Sequence, residues 1–474
     1  MMTSNSSSHD LQRISIRERL AFGVGDYGTN LTYTLMVTFL AFYYTDVVGI
    51  SALLVGSLMF FARVLDAIIC IYVGIRIDKT RSSLGKARPW VLWTAVPFGL
   101  SAILMSTVPN ASYTLKVIYV CITYLLTNIM FTANNIAYGS LLALITRDNY
   151  QRGMLSVFRK GFSTCGSLTV GVLTLPLVAF FGNSSTSWMI VFAIFGIFTS
   201  VFLLLTALGT RERVEPVNSN NSQRINARQV TRSVMANRYW LIIFFYLMIT
   251  FTSLTALSAV GVYYSKYVLA DISLIAYISM AQYIPGLLTL MIIPALLKKL
   301  GKRRLAMLGL TICCVAYLLP LFDKQNALFV IVATAVRSVG FCGIGATMFA
   351  LLADTIDYGE WRTGLRIEGI LFSAGTLGQT LGMGLGTASV GWILGAAGFV
   401  SGGGAHQSET VINTIEFLFI FFPLILAALN LVLLWFYKLD DFYPQVAQDL
   451  SAGRYQQSEG ANPAAMSDGL LNPK

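Results

Sequence analysis

The chain has 474 residues, of which 55% are hydrophobic and 12% charged, with a formal charge of +11 and a mean hydropathy of +0.68. Soluble domains carry about 25% charged residues, so a cytosolic globular enzyme is excluded, and disorder would need low hydrophobicity and many charges. Six cysteines, all within apolar runs, are too few for a disulfide scaffold.

A helix that crosses a bilayer needs about 20 mostly apolar residues. Twelve such runs follow one another, at 21–47, 51–76, 89–107, 116–145, 154–181, 188–209, 240–265, 274–297, 305–322, 327–353, 369–399 and 414–437. The expected fold is therefore an all-α membrane protein with twelve transmembrane helices. Residues 1–20 are polar and carry Arg13, Arg17 and Arg19 without an apolar core, which is not the pattern of a cleaved signal peptide. The stretch 210–239, rich in Asn, Ser and Arg, reads as a linker between two six-helix halves, 21–209 and 240–439. Residues 440–474 read as a disordered polar tail. Two equivalent halves are the build of a secondary transporter with its substrate held between them near the midplane.

The basic residues orient the chain. If both termini are cytoplasmic, inner segments hold 26 Lys and Arg and outer loops hold three, Lys116, Lys266 and Lys324. That asymmetry places the tails and the linker inside, and it accounts for the surplus charge without nucleic acid. No GxxxxGK[ST] loop is present, which argues against a nucleotide-driven pump. The two histidines, His9 and His406, lie far apart in a tail and a loop and suggest no metal. Neither an enzyme nor a cofactor is expected.

Charges inside the bilayer are costly and mark sites or internal pairs. In the first run Asp26 stands near the inner end, where packing or gating is the plainer reading. In the second, Arg63 and Asp66 are three residues apart on one helical face and can pair; Asp66 is the candidate for cation or proton coupling. The fourth run carries Thr132, Asn134, Asn135 and Tyr138, amides and a phenol able to bind sugar hydroxyls or neighbouring helices. The fifth carries Arg159 and Lys160, with Arg159 the candidate ligand. Arg337 in the tenth run is undecided between substrate contact and an internal pair. In the eleventh, Gly378, Gly382 and Gly386 form a packing stripe, with Gln379 and Thr380 beside it polar enough to reach a cavity.

Four stretches, GVGDYGTN at 23–30, FYYTDVVG at 42–49, DKTRSSLGKARPW at 78–90 and DTIDYGEWRTGLRIEG at 354–369, resemble the glycoside-pentoside-hexuronide:cation symporter family of the major facilitator superfamily. That family includes melibiose permease and bacterial glucuronide, xyloside and isoprimeverose transporters, and the similarity runs from about residue 17 to 442. The resemblance implies sugar bound between the halves, touched by Asn30, Asn135 and Arg159. Melibiose permease has acids at the first two of these positions, whereas other members have Asn. An aromatic that packs on sugar is replaced by Gly139, leaving Tyr138 or Phe349 to substitute. The family's cation site pairs two helix 2 acids with a helix 4 hydroxyl. Here Asp66 and Thr132 are kept, but Cys70 and Ile71 replace the second Asp and a Pro, and a helix 11 Lys is replaced by Gln379 or Thr380. Sodium wants hard oxygen ligands, so the expected coupling ion is a proton rather than sodium.

The expectation is thus a monomeric transporter in the bacterial inner membrane, symporting a pentoside, hexoside or hexuronide by alternating access. The alternatives are a cation-independent facilitator or exchanger, a carrier of lysolipid-type amphiphiles and a sugar sensor. The substrate-binding candidates are Asn30, Asn134, Asn135, Tyr138, Arg159, Gln379 and Thr380; the coupling group is Asp66 with Thr132 and Arg63. The cytoplasmic charges Asp78, Arg81, Arg88, Asp354, Asp357, Glu360, Arg362 and Arg366, lying in loops of the two halves, are expected to pair across them and close an inner gate.

Overall fold

Apolar runs fold into helices because a bilayer offers no water to satisfy backbone N–H and C=O groups, which must bond within the segment. The computed structural model describes residues 14–146, 148–213, 237–363, 368–402, 407–452 and 454–455, and these are helical almost throughout, without a β-strand. Every predicted run has its helix. The first is α1 (Ile16–Thr34), continued by a π turn at Leu35–Phe39, a short α segment at Leu40–Phe42 and a second π turn at Tyr43–Val47. There follow α2 (Ala52–Lys79), α3 (Arg88–Ser106), α4 (Tyr113–Ile145), α5 (Asn149–Phe180) and α6 (Ser185–Gly209). The second half holds α7 (Arg238–Tyr267), α8 (Leu274–Leu290), α9 (Lys302–Leu318), α10 (Ala327–Thr363), α11 (Glu368–Ala396) and α12 (Glu409–Glu416, continued through a π turn to Phe436).

By length and apolarity, nine described helices can cross a membrane, and ten if α8 and the segment Ile293–Leu300, bent by 63° from it, make one span. The remaining two, α1 and α11, carry the polar and glycine-rich sequences. Packing in the first half joins α1 to α5 and α6, α3 to α4 and α6, and α2 to α4. In the second half α7 packs on α11 and α12, α9 on α10 and α12, and α8 on α10, which is the same set of contacts shifted by six helices. Between the halves the main contacts are α2 on α11 and α5 on α8, again related by that shift. A pseudo-twofold relation thus links the halves, as the two-repeat reading predicts.

The glycine stripe of α11 is what lets α7 come so close. A methyl built on Gly378, Gly382 or Gly386 would lie 2.8, 2.2 or 2.4 Å from the carbonyl oxygens of Phe244, Met248 and Thr252. Between halves, a methyl on Gly391 would lie 2.6 Å from Ala52 O.

The helices outrun the apolar runs where their ends reach water. α1 starts at Ile16, with Ser15 capping the Glu18 N–H at 3.2 Å. The stretch from Asp354, expected as a loop, stays helical to Thr363. A tail expected to be disordered from 440 instead opens with α13 (Leu439–Ser451), whose Leu439 and Val446 are buried. Its apolar face explains the difference: Phe442 packs on Tyr239 and Tyr358, Tyr443 donates to Asp357 at 2.6 Å, and Trp361 donates to Asp449 at 3.3 Å.

Candidate functional site

Between the halves lies a cavity of about 800 Å³, walled by α1 and α5 on one side and by α7, α8, α10 and α11 on the other. On α1, Asp26, Asn30, Tyr33 and Thr34 recur at three- and four-residue spacing and so share a face. On α5, Arg159, Ser163 and Ser167 do the same. The two faces are tied together. Arg159 Nε stands 3.5 Å from Asp26 Oδ1, its Nη2 donates to Asn135 Oδ1 at 3.3 Å, and its guanidinium carbon is 4.9 Å from the centre of the Tyr138 ring. Asn30 Nδ2 donates to Asp26 O at 2.8 Å, and Ser167 Oγ donates to Asn30 Oδ1 at 3.4 Å. The wall therefore presents an oriented guanidinium with hydroxyls and an amide beside it, the donors and acceptors that a polyol needs.

Of the binding residues expected from the sequence, Asn30, Arg159 and Gln379 line this cavity, and Asn135 reaches it by holding Arg159. Others lie elsewhere. Asn134 is fully buried, donating to Thr29 Oγ1 at 3.0 Å and accepting from Thr94 Oγ1 at 3.4 Å, so it joins α4 to α1 and α3. Tyr138 stacks on Phe22 at 4.6 Å, donates to Phe22 O, and supports Arg159 from behind. Thr380 bonds its own helix at Thr376 O. Phe349 lines the cavity. Asp26, assigned by the sequence to packing or gating, proves to be in the wall; its position one helical turn before Asn30 was the available signal. Arg337, undecided by sequence, lines the opposite wall.

The expected coupling group assembles as a second cluster behind Tyr33. Arg63 Nη1 lies 3.5 Å from Asp66 Oδ2, and Thr132 Oγ1 donates to Asp66 Oδ1. All three are buried. Arg63 stands over the Tyr33 ring at 5.8 Å, and Tyr33 in turn lines the cavity. Two side chains, Arg63 and Tyr33, thus stand between Asp66 and the cavity. Cys70, at the position of the family's second acid, is exposed.

At the end bearing the termini and most basic residues, the described ion pairs join residues of one half. Arg213 meets Glu18 at 2.7 Å, Lys302 meets Asp354 at 2.7 Å, and Arg303 meets Asp441 at 3.4 Å. Among the expected gate charges, Asp354 is thus held by Lys302 and Asp357 by Tyr443. Arg88 donates to Ala207 O at 2.9 Å, Arg81 is exposed and Glu360 half-buried. Arg362 is exposed at the end of α10; Arg366 and the Asp78 side chain lie outside the described residues.

The opposite end carries a seal that the sequence reading missed. Asp46 of the first half accepts from Lys266 Nζ at 2.6 Å and from the Tyr267 hydroxyl, while Thr45 Oγ1 and Tyr263 OH lie 2.8 Å apart. Ser401 Oγ donates to Ile50 O at 2.9 Å, and Trp392 Nε1 donates to Ser57 Oγ at 3.0 Å. The cavity extends the other way, toward Ser156, Leu290 and Phe349 near the basic ends of their helices.

The family described as MFS/sugar transport protein matches residues 21–441. The isoprimeverose transporter of Lactiplantibacillus pentosus is 35% identical over 448 residues, covering 93% of this chain and 92% of that one. The inner membrane symporter YicJ of Escherichia coli (strain K12) is 31% identical over 428 residues, 89% and 91% of the two chains. Among solved structures, a D-xylose-proton symporter superposes with a TM-score of 0.63 at 15% identity, over 89% of this chain and 96% of its own, a likeness of fold. Two sets of helices with matching contacts, a cavity between them and these matches agree: the chain belongs to the MFS/sugar transport protein family.

Proposed function

We propose that the protein carries a glycoside or related sugar across the inner membrane by alternating access, coupled to protons through Asp66, with both termini in the cytoplasm. The observation that carries this reading is the polar wall of the 800 Å³ cavity, where Asp26 and Asn135 orient Arg159 beside Asn30 and Ser167. With the basic end inside, the Asp46–Lys266 seal closes the outer side and the conformation is inward-open. Proton coupling is supported by the buried Arg63–Asp66–Thr132 cluster, which offers one carboxylate and no second acid where Cys70 stands. A lone carboxylate suits a proton better than a hard metal cation, which needs several oxygen ligands.

The test is external pH in a lightly buffered suspension of expressing cells, with labelled uptake followed in parallel, as xylosides, galactosides, glucosides and glucuronides are added. Alkalinisation with one sugar is expected, together with loss of accumulation but not of exchange in Asp66→Asn. Uptake without a pH change would replace symport with facilitated diffusion or exchange. Absence of uptake for every sugar would overturn the carrier reading.

A further inference from the structure

Among the described residues that wall the cavity, Asp26 is the one carboxylate, against three cations: Arg159, Lys160 and Arg337. Asp26 is engaged by Arg159. That leaves the wall cationic, and the two remaining positive charges differ in kind. Lys160 is exposed on the cavity wall. Arg337 is only 3% exposed, in the first third of the long apolar helix α10.

A buried cation without a counter-charge costs several kcal/mol, and this chain deals with its other fully buried arginine, Arg63, by pairing it with Asp66. Arg337 has no ion pair among the described residues. Its described contacts are the face of Tyr317, 5.6 Å away, and the Cys313 thiol, which donates to its backbone oxygen at 3.6 Å. The side chain lines both the main cavity and the small pocket beyond it between α1, α7 and α8, so it borders the space where substrate would lie. A guanidinium is a planar fork matched to two oxygens of an oxyanion.

We propose that Arg337 is an anion-binding subsite, and that the sugar this protein carries bears a carboxylate or sulfonate directed at α10 while its hydroxyls meet Asn30 and Arg159 on the other wall. The proposal rests on the sugar-carrier reading and narrows it to acidic sugars. Arg337 then supplies, in the second half, the charge that a neutral glycoside would leave unused.

Binding to the purified protein in detergent tests it, using methyl glucoside, methyl glucuronide, the sulfonated analogue of the glucoside, and isethionate as an anion that is not a sugar. The wild type is expected to bind one or both charged sugars at least about ten-fold more tightly than the neutral one, as a charge-assisted fork would give; which of the two distinguishes carboxylate from sulfonate. Arg337→Gln should erase that difference and leave the neutral affinity within about two-fold. Equal binding of neutral and charged sugars by the wild type, or equal losses for both in Arg337→Gln, would overturn the subsite. If Arg337→Gln does not yield a monodisperse protein, Arg337→Met reads the same point: the charge goes, and an unchanged preference for the charged sugars refutes the subsite. If none of the three glucose derivatives binds, isethionate decides the subsite alone: stabilisation of the wild type but not of Arg337→Gln supports it, and no stabilisation rejects it, while the carrier reading stands or falls on the uptake panel.

Discussion

Asp26 shows how one residue changes meaning with its surroundings. Because α1 begins at Ile16 rather than at 21, Asp26 sits about three turns into the helix, opposite Arg159 instead of at the membrane edge. Its carboxylate holds the guanidinium at 3.5 Å while Asn135 holds it from the other side. Asp26→Asn should therefore weaken sugar binding about ten-fold, by loosening a positioned donor, in a protein that still reaches the membrane. Titration of binding in detergent checks this, and wild-type affinity would show that Asn135 and Tyr138 position Arg159 unaided. The neighbours Asn134 and Asn135 make the complementary point. Adjacent residues on a helix face about 100° apart, so one of the two amides reaches Arg159 and the other is consumed by Thr29 and Thr94. The sequence displays the pair without saying which is which.

Among the elements, α11 carried its role openly, since three glycines at four-residue spacing predict close helix packing and α7 is what packs there. Gly382→Leu should drive the Met248 carbonyl away, costing about 1–3 kcal/mol or more, and appear as a lower melting temperature or loss of the folded species in size-exclusion chromatography. α3 needs a partner that its own sequence lacks. The N–H groups of Lys86 and Ala87, just before its start, and of Arg88, its first residue, donate to the Glu212 carboxylate at 2.7–2.8 Å, a cap supplied by the chain beyond α6. Removing it by Glu212→Ala should cost about 0.5–2 kcal/mol, measurable as a lower melting temperature; an unchanged melting temperature would mean that water caps α3 as well. Tertiary supply of this kind is illegible in sequence because the partners lie more than 120 residues apart. The same holds for α13, whose polar composition hid an apolar face that α7 and α10 cover.

For the whole molecule, the seal and the cavity define one state of a two-state machine. Lys266→Met removes the cation from Asp46 and leaves a buried carboxylate unpaired, which should shift the population toward outward-open. A cysteine placed at Thr38, deep in the cavity, should then react faster with an impermeant thiol reagent added from outside; an unchanged rate would mean that the glycine contacts of α2 and α11 hold the seal alone. The inner-gate expectation requires that the charges held here within one half, Asp354 by Lys302 and Asp357 by Tyr443, turn to Arg81 and Arg88 in the alternate state. Asp357→Asn should lower the outward-open population in the same accessibility assay, and no change would remove the inner-gate expectation. That each apolar run forms a helix and that the basic residues gather at one end of the molecule were legible in the sequence alone, because apolar length and charge placement are local quantities read segment by segment. Which polar residues meet, that Arg337 faces the cavity and that Asp46 finds Lys266 were decided by the tertiary structure, because each depends on the rotation of one helix about its axis against another, and twelve mostly apolar helices leave that rotation to packing.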